Sequence, residues 1–109
     1  MSPAPRLVFR PGARDEIREA RRWYERQAPG LGRRFLADLD ATLARVVADP
    51  RSYAVVERTP TGQEVRRALL RRFPYWMSFI VTQTDGDAKI AVLACFHGRR
   101  DPEDLSGRT

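Results

Sequence analysis

The clearest pattern along the chain is a pair of apolar stripes with helical spacing. Apolar residues recur every three or four positions over about residues 11–28, and again over about residues 31–49, with charged residues between them. This spacing predicts two amphipathic helices. Pro29 and Gly30 separate the helices and Pro50 follows the second, so each helix has a sequence signal for its end. Two helices of similar length with a short connection predict an antiparallel helical hairpin.

Alternating side chains predict strands on both sides of this hairpin. A short strand is expected at Arg6–Arg10, and three longer ones at Val65–Phe73, Tyr75–Thr82 and Ala88–His97. The last two flank Thr84-Asp85-Gly86-Asp87, in which Asp-Gly is a strong signal for a tight hairpin turn. Both faces of the final strand are apolar, which is typical of a strand inside a sheet.

The predicted order of elements is strand, helix, helix and then three antiparallel strands. The segment Arg51–Gln63 is expected to be a loop, with a short strand at Tyr53–Glu57 as an alternative. We therefore predict a single α+β domain over residues 1–109, in which the helical hairpin packs on one face of a small antiparallel sheet. Residues 1–5 and about 100–109 are expected to be flexible tails. The aromatic residues of the first helix and of the central strands are expected to be core; they are Trp23, Tyr24, Phe73, Tyr75 and Phe79.

The charge of the chain favours an acidic partner. Twenty basic residues stand against 14 acidic ones, giving a formal net charge of +6, and Lys89 is the only lysine among them. Such a balance suits nucleic acid, a nucleotide or an acidic protein.

Cysteine use and hydropathy indicate the compartment. Cys95 is the single cysteine, so no internal disulfide can form, and the apolar run around it predicts a buried thiol. The sequence shows no apolar stretch typical of a signal peptide or a membrane span. A reducing cytoplasm is therefore expected, without a membrane partner.

Four arginines on the first central strand need an explanation. Strand alternation places Arg67 and Arg71 on one face and Arg66 and Arg72 on the other. A guanidinium is shaped to bind phosphate or carboxylate. These side chains are therefore candidates for binding a partner. The alternative is that they pair with carboxylates of the same chain, for which the candidates are Asp15, Glu16, Asp38 and Asp40.

Several short motifs occur in a characteristic order. They are Trp23-Tyr24, Pro29-Gly30-Leu31-Gly32-Arg33-Arg34-Phe35, Arg66-Arg67, Phe73-Pro74-Tyr75 and His97-Gly98-Arg99-Arg100-Asp101-Pro102. Together they resemble the RelE/ParE toxin superfamily over nearly the whole chain. The resemblance implies the toxin of a type II toxin–antitoxin module, neutralised by a cognate antitoxin. It implies neither a cofactor nor a metal, and no Cys/His spacing in the chain suggests a metal site.

The superfamily has two activities, and the first is cleavage of messenger RNA on the ribosome. A metal-free ribonuclease needs a base, an acid and cations that hold the phosphate. Arg67 and Arg71 are candidates for the cations and His97 for the acid or base. Tyr75 is a weaker candidate for the acid and Glu64 for the base. A structural role for His97, at the end of the last strand, is the alternative.

The second activity is inhibition of DNA gyrase by ParE-like members, and two features favour it. Trp76 stands where members that cleave RNA usually have an arginine, and the lysines of many RelE-like members are missing. The segment from His97 to Pro102 is more similar to ParE-like and plasmid-stabilisation proteins. Both helices and the C-terminal tail are then the expected target-facing parts. The candidate partner-binding residues are Arg66, Arg67, Arg71, Arg72, Arg99 and Arg100.

Overall fold

The computed structural model describes residues 5–98, which form a five-stranded sheet with two helices on one face. The elements in chain order are β1 Arg6–Phe9, α1 Pro11–Gln27, α2 Leu31–Ala48, a 3₁₀ turn at Pro50–Ser52, β2 Val55–Arg58, β3 Glu64–Leu69, β4 Tyr75–Thr84 and β5 Asp87–His97. The predicted C-terminal tail, most of the predicted N-terminal tail, Arg99 and Arg100 lie outside the described residues.

The strands lie in the order β1-β5-β4-β3-β2, and the sheet is mixed. β1 pairs with β5 in parallel, whereas the other neighbours are antiparallel. The predicted α+β architecture is confirmed. The sheet differs from the predicted antiparallel one at its edge, because β1 pairs with β5 in parallel. The alternative strand within the loop is also present, at Val55–Arg58. The Asp85-Gly86 turn joins β4 to β5 with positive φ at both residues, 50° and 81°, as the sequence predicts.

The core lies between the helices and one sheet face, and alternation along the strands decides which side chains enter it. The largest fully buried side chains include Phe35 of α2, Met77 and Phe79 of β4, and Ile90 and Val92 of β5. Each such side chain removes apolar surface from water and stabilises the fold by about 1.5–3 kcal/mol. Among the described residues, no helix is long and apolar enough to cross a membrane.

Trp23 does not belong to this core, and here the expectation from the sequence is wrong. Its side chain is 49% exposed, whereas that of its neighbour Tyr24 is 9% exposed. The stripe of α1 that faces the sheet runs through Ala13, Ala20 and Tyr24. Trp23 lies about 100° from Tyr24 around the helix, which places it at the margin of this stripe and in contact with solvent.

β3 ends at Leu69, earlier than the predicted end at Phe73, and this is a second correction. Residues 70–74 form a turn, which the Leu70 N–H closes by donating to the Tyr75 carbonyl oxygen at 3.0 Å. Arg71 is therefore not on a strand face beside Arg67. Arg71 and Arg72 lie in the turn and are exposed.

A carboxylate from α2 holds this turn in place. Asp38 is 6% exposed, and its Oδ2 atom accepts hydrogen bonds from the backbone N–H groups of Arg72 and Phe73, at 2.7 and 2.9 Å. The carboxylate thus satisfies two N–H groups that no strand ladder takes up. Asp38 binds the backbone of Arg72 rather than an arginine side chain, which was the pairing expected from the sequence.

The connection between the helices depends on Glu25 and Gly32. The Glu25 carboxylate accepts the N–H groups of Gly30 and Gly32, both at 3.0 Å, at the start of α2. A Cβ atom on Gly32 would lie 2.8 Å from the Arg21 carbonyl oxygen, so only glycine allows the helices to approach this closely.

Replacement of Asp38 by alanine should destabilise the fold by about 1–3 kcal/mol, because two N–H groups of the turn lose their acceptor. The free energy of unfolding in urea measures this effect. Asp40→Ala is the matched control, since Asp40 is on the same helix but exposed. Equal stability of the two variants would mean that the Asp38 hydrogen bonds do not stabilise the fold.

The Glu25 bonds predict a pH dependence of stability. The N–H groups of Gly30 and Gly32 lower the pKa of the Glu25 carboxyl below its ordinary value of 4.5. The stabilisation from this group is therefore present above the pKa of the unfolded chain and is lost as the pH falls through the folded-state pKa. Glu25→Gln should lower stability at neutral pH, and its difference from the original chain should shrink in acid. Glu19→Gln removes the same charge without these bonds. An equal effect of the two variants at every pH would contradict the assignment.

Candidate functional site

A groove of about 780 Å³ lies beside the C-terminal half of α1, where β4 begins and β5 ends. Its walls combine aromatic rings, arginines and carboxylates. The lining residues are Glu16, Glu19, Ala20, Arg22, Trp23, Tyr24, Arg26, Tyr75, Cys95, Phe96 and His97.

The groove exists because β1 is shorter than β5. β1 pairs with β5 only as far as Val92, and the described part of the chain supplies no further strand on that side. α1 runs along the remaining part of β5 instead. Glu16 of α1 accepts the backbone N–H of Cys95 at 2.8 Å, so a carboxylate satisfies the donor that a neighbouring strand would otherwise take.

Aromatic rings in edge-on contact form the floor of the groove. His97 contacts Tyr75 edge-on, with 5.3 Å between ring centroids and an interplanar angle of 76°. Tyr75 in turn lies 5.1 Å from Phe35 and 6.0 Å from Tyr24. Because these rings belong to both helices and two strands, the floor is fixed by the core of the protein. His97 is thus placed against an aromatic ring at the end of β5.

Trp23, Arg22 and Arg26 of α1 form the outer rim. Trp23 packs edge-on against Tyr24 at 5.1 Å and exposes about half of its surface. Arg22 and Arg26 are exposed and lie one helical turn apart. None of these three residues is a site candidate from the sequence, which predicts Trp23 as a core residue. The available signal was their place beside the buried Ala20–Tyr24 stripe, where a large ring borders both the core and solvent.

Cys95 lies in the groove wall, but its thiol is unreactive. The side chain is 1% exposed, and burial, with a further contribution from the Glu16 carboxylate, raises the pKa of its thiol to about 12. The thiol is therefore protonated at neutral pH, and the thiolate is the form that reacts. The prediction of a buried thiol is confirmed.

Arg67 lies on the opposite face of the sheet from this groove. It pairs with Ser78 across β3 and β4, whereas Tyr75, Met77 and Cys95 face the helices. Its guanidinium carbon lies 3.9 Å from the centre of the Trp76 ring, which is a cation–π contact. The structure therefore separates Arg67 from His97 by the thickness of the sheet, and it places Arg71 in the turn.

Arg66 and Glu64 are engaged within the chain. The Arg66 guanidinium donates to the carbonyl oxygens of Arg51 and Tyr53 at 3.1 and 2.6 Å, and its side chain is only 12% exposed. Glu64 forms ion pairs with Arg66 and Arg58, both at 3.1 Å. The Arg66 contacts hold the residues just before β2 against β3. The ion pairs engage the carboxylate of Glu64, which was a candidate base.

Arg71 and Arg72 differ from Arg66 in that they face solvent. Within residues 5–98, ion pairs involve Arg18, Arg58 and Arg66, and neither arginine of the turn pairs with a described carboxylate. Pairing within residues 5–98 therefore explains Arg66 but not Arg71 or Arg72.

Comparison with known proteins gives a family for this fold. Among solved structures, the chain is similar to one described as the chromosomal ParDE TA system from P. aeruginosa, with a TM-score of 0.68 and 17% sequence identity. That alignment covers 86% of this chain and 96% of the other, and at such low identity it establishes the fold. No curated protein sequence matches the chain.

The match to a protein family extends over most of the chain. Residues 7–102 match the model of the ParE toxin of type II toxin–antitoxin system, parDE. This range begins within β1 and extends beyond the end of β5, so it includes both helices, the whole groove and the arginine turn. The chain belongs to the ParE toxin family of type II toxin–antitoxin systems.

Proposed function

We propose that the chain is the toxin of a type II toxin–antitoxin module, that it inhibits DNA gyrase in the cytoplasm, and that a cognate antitoxin neutralises it. The observation that carries the proposal is the match to the ParE toxin family over residues 7–102. The similar solved structure is described as a ParDE toxin–antitoxin system, which supports a partner of the same kind for this chain.

The positions of the nuclease candidates support inhibition over RNA cleavage. A ribonuclease must bring a base, an acid and a phosphate-binding cation to one scissile bond. Here Arg67 and His97 lie on opposite faces of the sheet, and Arg71 is in a turn outside both strands. Arg67 also stacks on Trp76, which stands where members that cleave RNA are expected to have an arginine. The separation of Arg67 from His97 supports the proposal, because both groups would have to reach the same phosphate in a nuclease.

Cleavage of messenger RNA on the ribosome is the second candidate function. The observation that favours it is the exposed pair Arg71 and Arg72, together with a net charge of +6. Both guanidinium groups are presented by a turn that Asp38 holds in place, and such a turn can contact a phosphate backbone. The same two side chains also suit the carboxylates of an antitoxin. Arg66 is engaged by backbone carbonyl oxygens of the fold. The remaining candidates for binding a partner are Arg67, Arg71, Arg72, Arg99 and Arg100.

Expression of the chain alone, followed by mapping of messenger RNA 5′ ends, separates the two functions. We expect growth arrest without new ends inside translated codons, and we expect the purified protein to inhibit supercoiling by gyrase. New ends that disappear in Arg67→Ala or Arg71→Ala variants would establish the nuclease and contradict the proposal. The exposed Arg33→Ala variant serves as the control for loss of one charge.

The His97→Ala variant tests the structural role of this histidine. We expect toxicity to remain largely intact where the protein stays folded, because the proposed activity requires no proton transfer. Growth arrest after induction is compared with the melting temperature of the purified variant. A variant that melts normally but no longer arrests growth would make His97 part of the activity.

A further inference from the structure

We infer that the groove beside α1 is a docking site for an acidic, extended segment of a partner protein, anchored by one apolar side chain. The inference concerns this surface alone. It does not depend on gyrase being the target, because binding to the groove can be measured without any toxicity assay.

The anchor position is defined by Trp23 and the ring floor beneath it. An exposed tryptophan beside a groove that contains Tyr24, Tyr75 and His97 offers a large apolar contact area. The rings are held by contacts with Phe35 in the core, so a bound side chain meets a surface that is already ordered. Tryptophan, tyrosine and arginine are the residue types that most often dominate binding energy at protein interfaces. The groove has all three.

The charge preference comes from the rim. Arg22 and Arg26 lie four residues apart on α1, a rise of about 6 Å. In an extended peptide, alternate side chains on one face repeat at about 6.6 Å. Two carboxylates at positions i and i+2 of an extended segment can therefore face the two guanidinium groups, while the overall charge of +6 favours the approach of an acidic chain.

Carboxylates in the same groove favour a peptide over nucleic acid. Glu16 and Glu19 line the wall beside the arginines, and Glu16 is held in place by its bond to the Cys95 N–H. A nucleic acid strand carries a charge on every nucleotide and would place phosphates against these carboxylates. A peptide can set acidic residues against the rim and uncharged ones against Glu16 and Glu19.

A random peptide library displayed on phage and selected on the full-length protein tests the inference. We expect enrichment of sequences with two acidic residues at i and i+2 beside an aromatic or aliphatic residue. The enriched peptide, made synthetically, should bind the original chain and lose about tenfold or more in affinity to Trp23→Ala and to Arg22→Ala/Arg26→Ala. Arg22 and Arg26 are exposed, so the melting temperature of the double variant should stay close to that of the original chain, and that of Trp23→Ala is measured beside its affinity because half of this ring is buried.

Arg14→Ala/Arg18→Ala is the matched control. It removes two exposed arginines with the same spacing from the same helix, outside the groove. The ion pair that it breaks among residues 5–98, between Arg18 and Asp15, is exposed and weak. The control should keep the original affinity. Three results would overturn the inference: selection of basic or unrelated sequences, an equal loss in the two double variants, or an oligonucleotide that binds with the same dependence on Trp23, Arg22 and Arg26.

Discussion

The contact that the described fold depends on most is the aromatic cluster around Phe35. This ring packs against Tyr24 of α1, Phe73 of the turn and Tyr75 of β4, with centroid distances between 5.1 and 5.6 Å. One fully buried side chain of α2 therefore joins the helical hairpin to the sheet at the end where the turn and the groove lie. Asp38, one helical turn further along α2, adds hydrogen bonds to the same turn. The positions of Arg71, Arg72 and His97 all follow from this junction.

The sequence predicts those parts of the fold that depend on local periodicity. Both helices, the Pro-Gly connection and the Asp85-Gly86 turn have signals within a few residues, and the structure agrees with them. The end of β3 has no such signal. The alternating pattern continues past Leu69, but Asp38 lies more than 30 residues away in the sequence and takes the N–H groups that a longer strand would need. A contact at that separation is not visible in the pattern of a single strand.

The four neighbouring arginines show why residue type alone does not define a site. Arg66 donates to backbone carbonyl oxygens and to Glu64, and it belongs to the fold. Arg67 stacks on Trp76 of the neighbouring strand, whereas Arg71 and Arg72 face solvent. Strand alternation predicted two pairs, but the early end of β3 gives three different environments. Conversely, the rim of the groove lies on α1, where Trp23 borders the buried Ala20–Tyr24 stripe and residue type alone favours burial of both rings.

The bond between Glu16 and the Cys95 N–H has a consequence for the exposed edge of β5. An uncovered strand edge is a template on which another chain can add a strand, and such edges promote aggregation. β5 extends past β1 and would present such an edge, but a charged carboxylate occupies its Cys95 donor and α1 lies alongside it. A second β-strand that approached this edge would have to displace a hydrogen-bonded anion first. α1 therefore hinders strand addition at this part of β5 while leaving the side chains of the groove accessible.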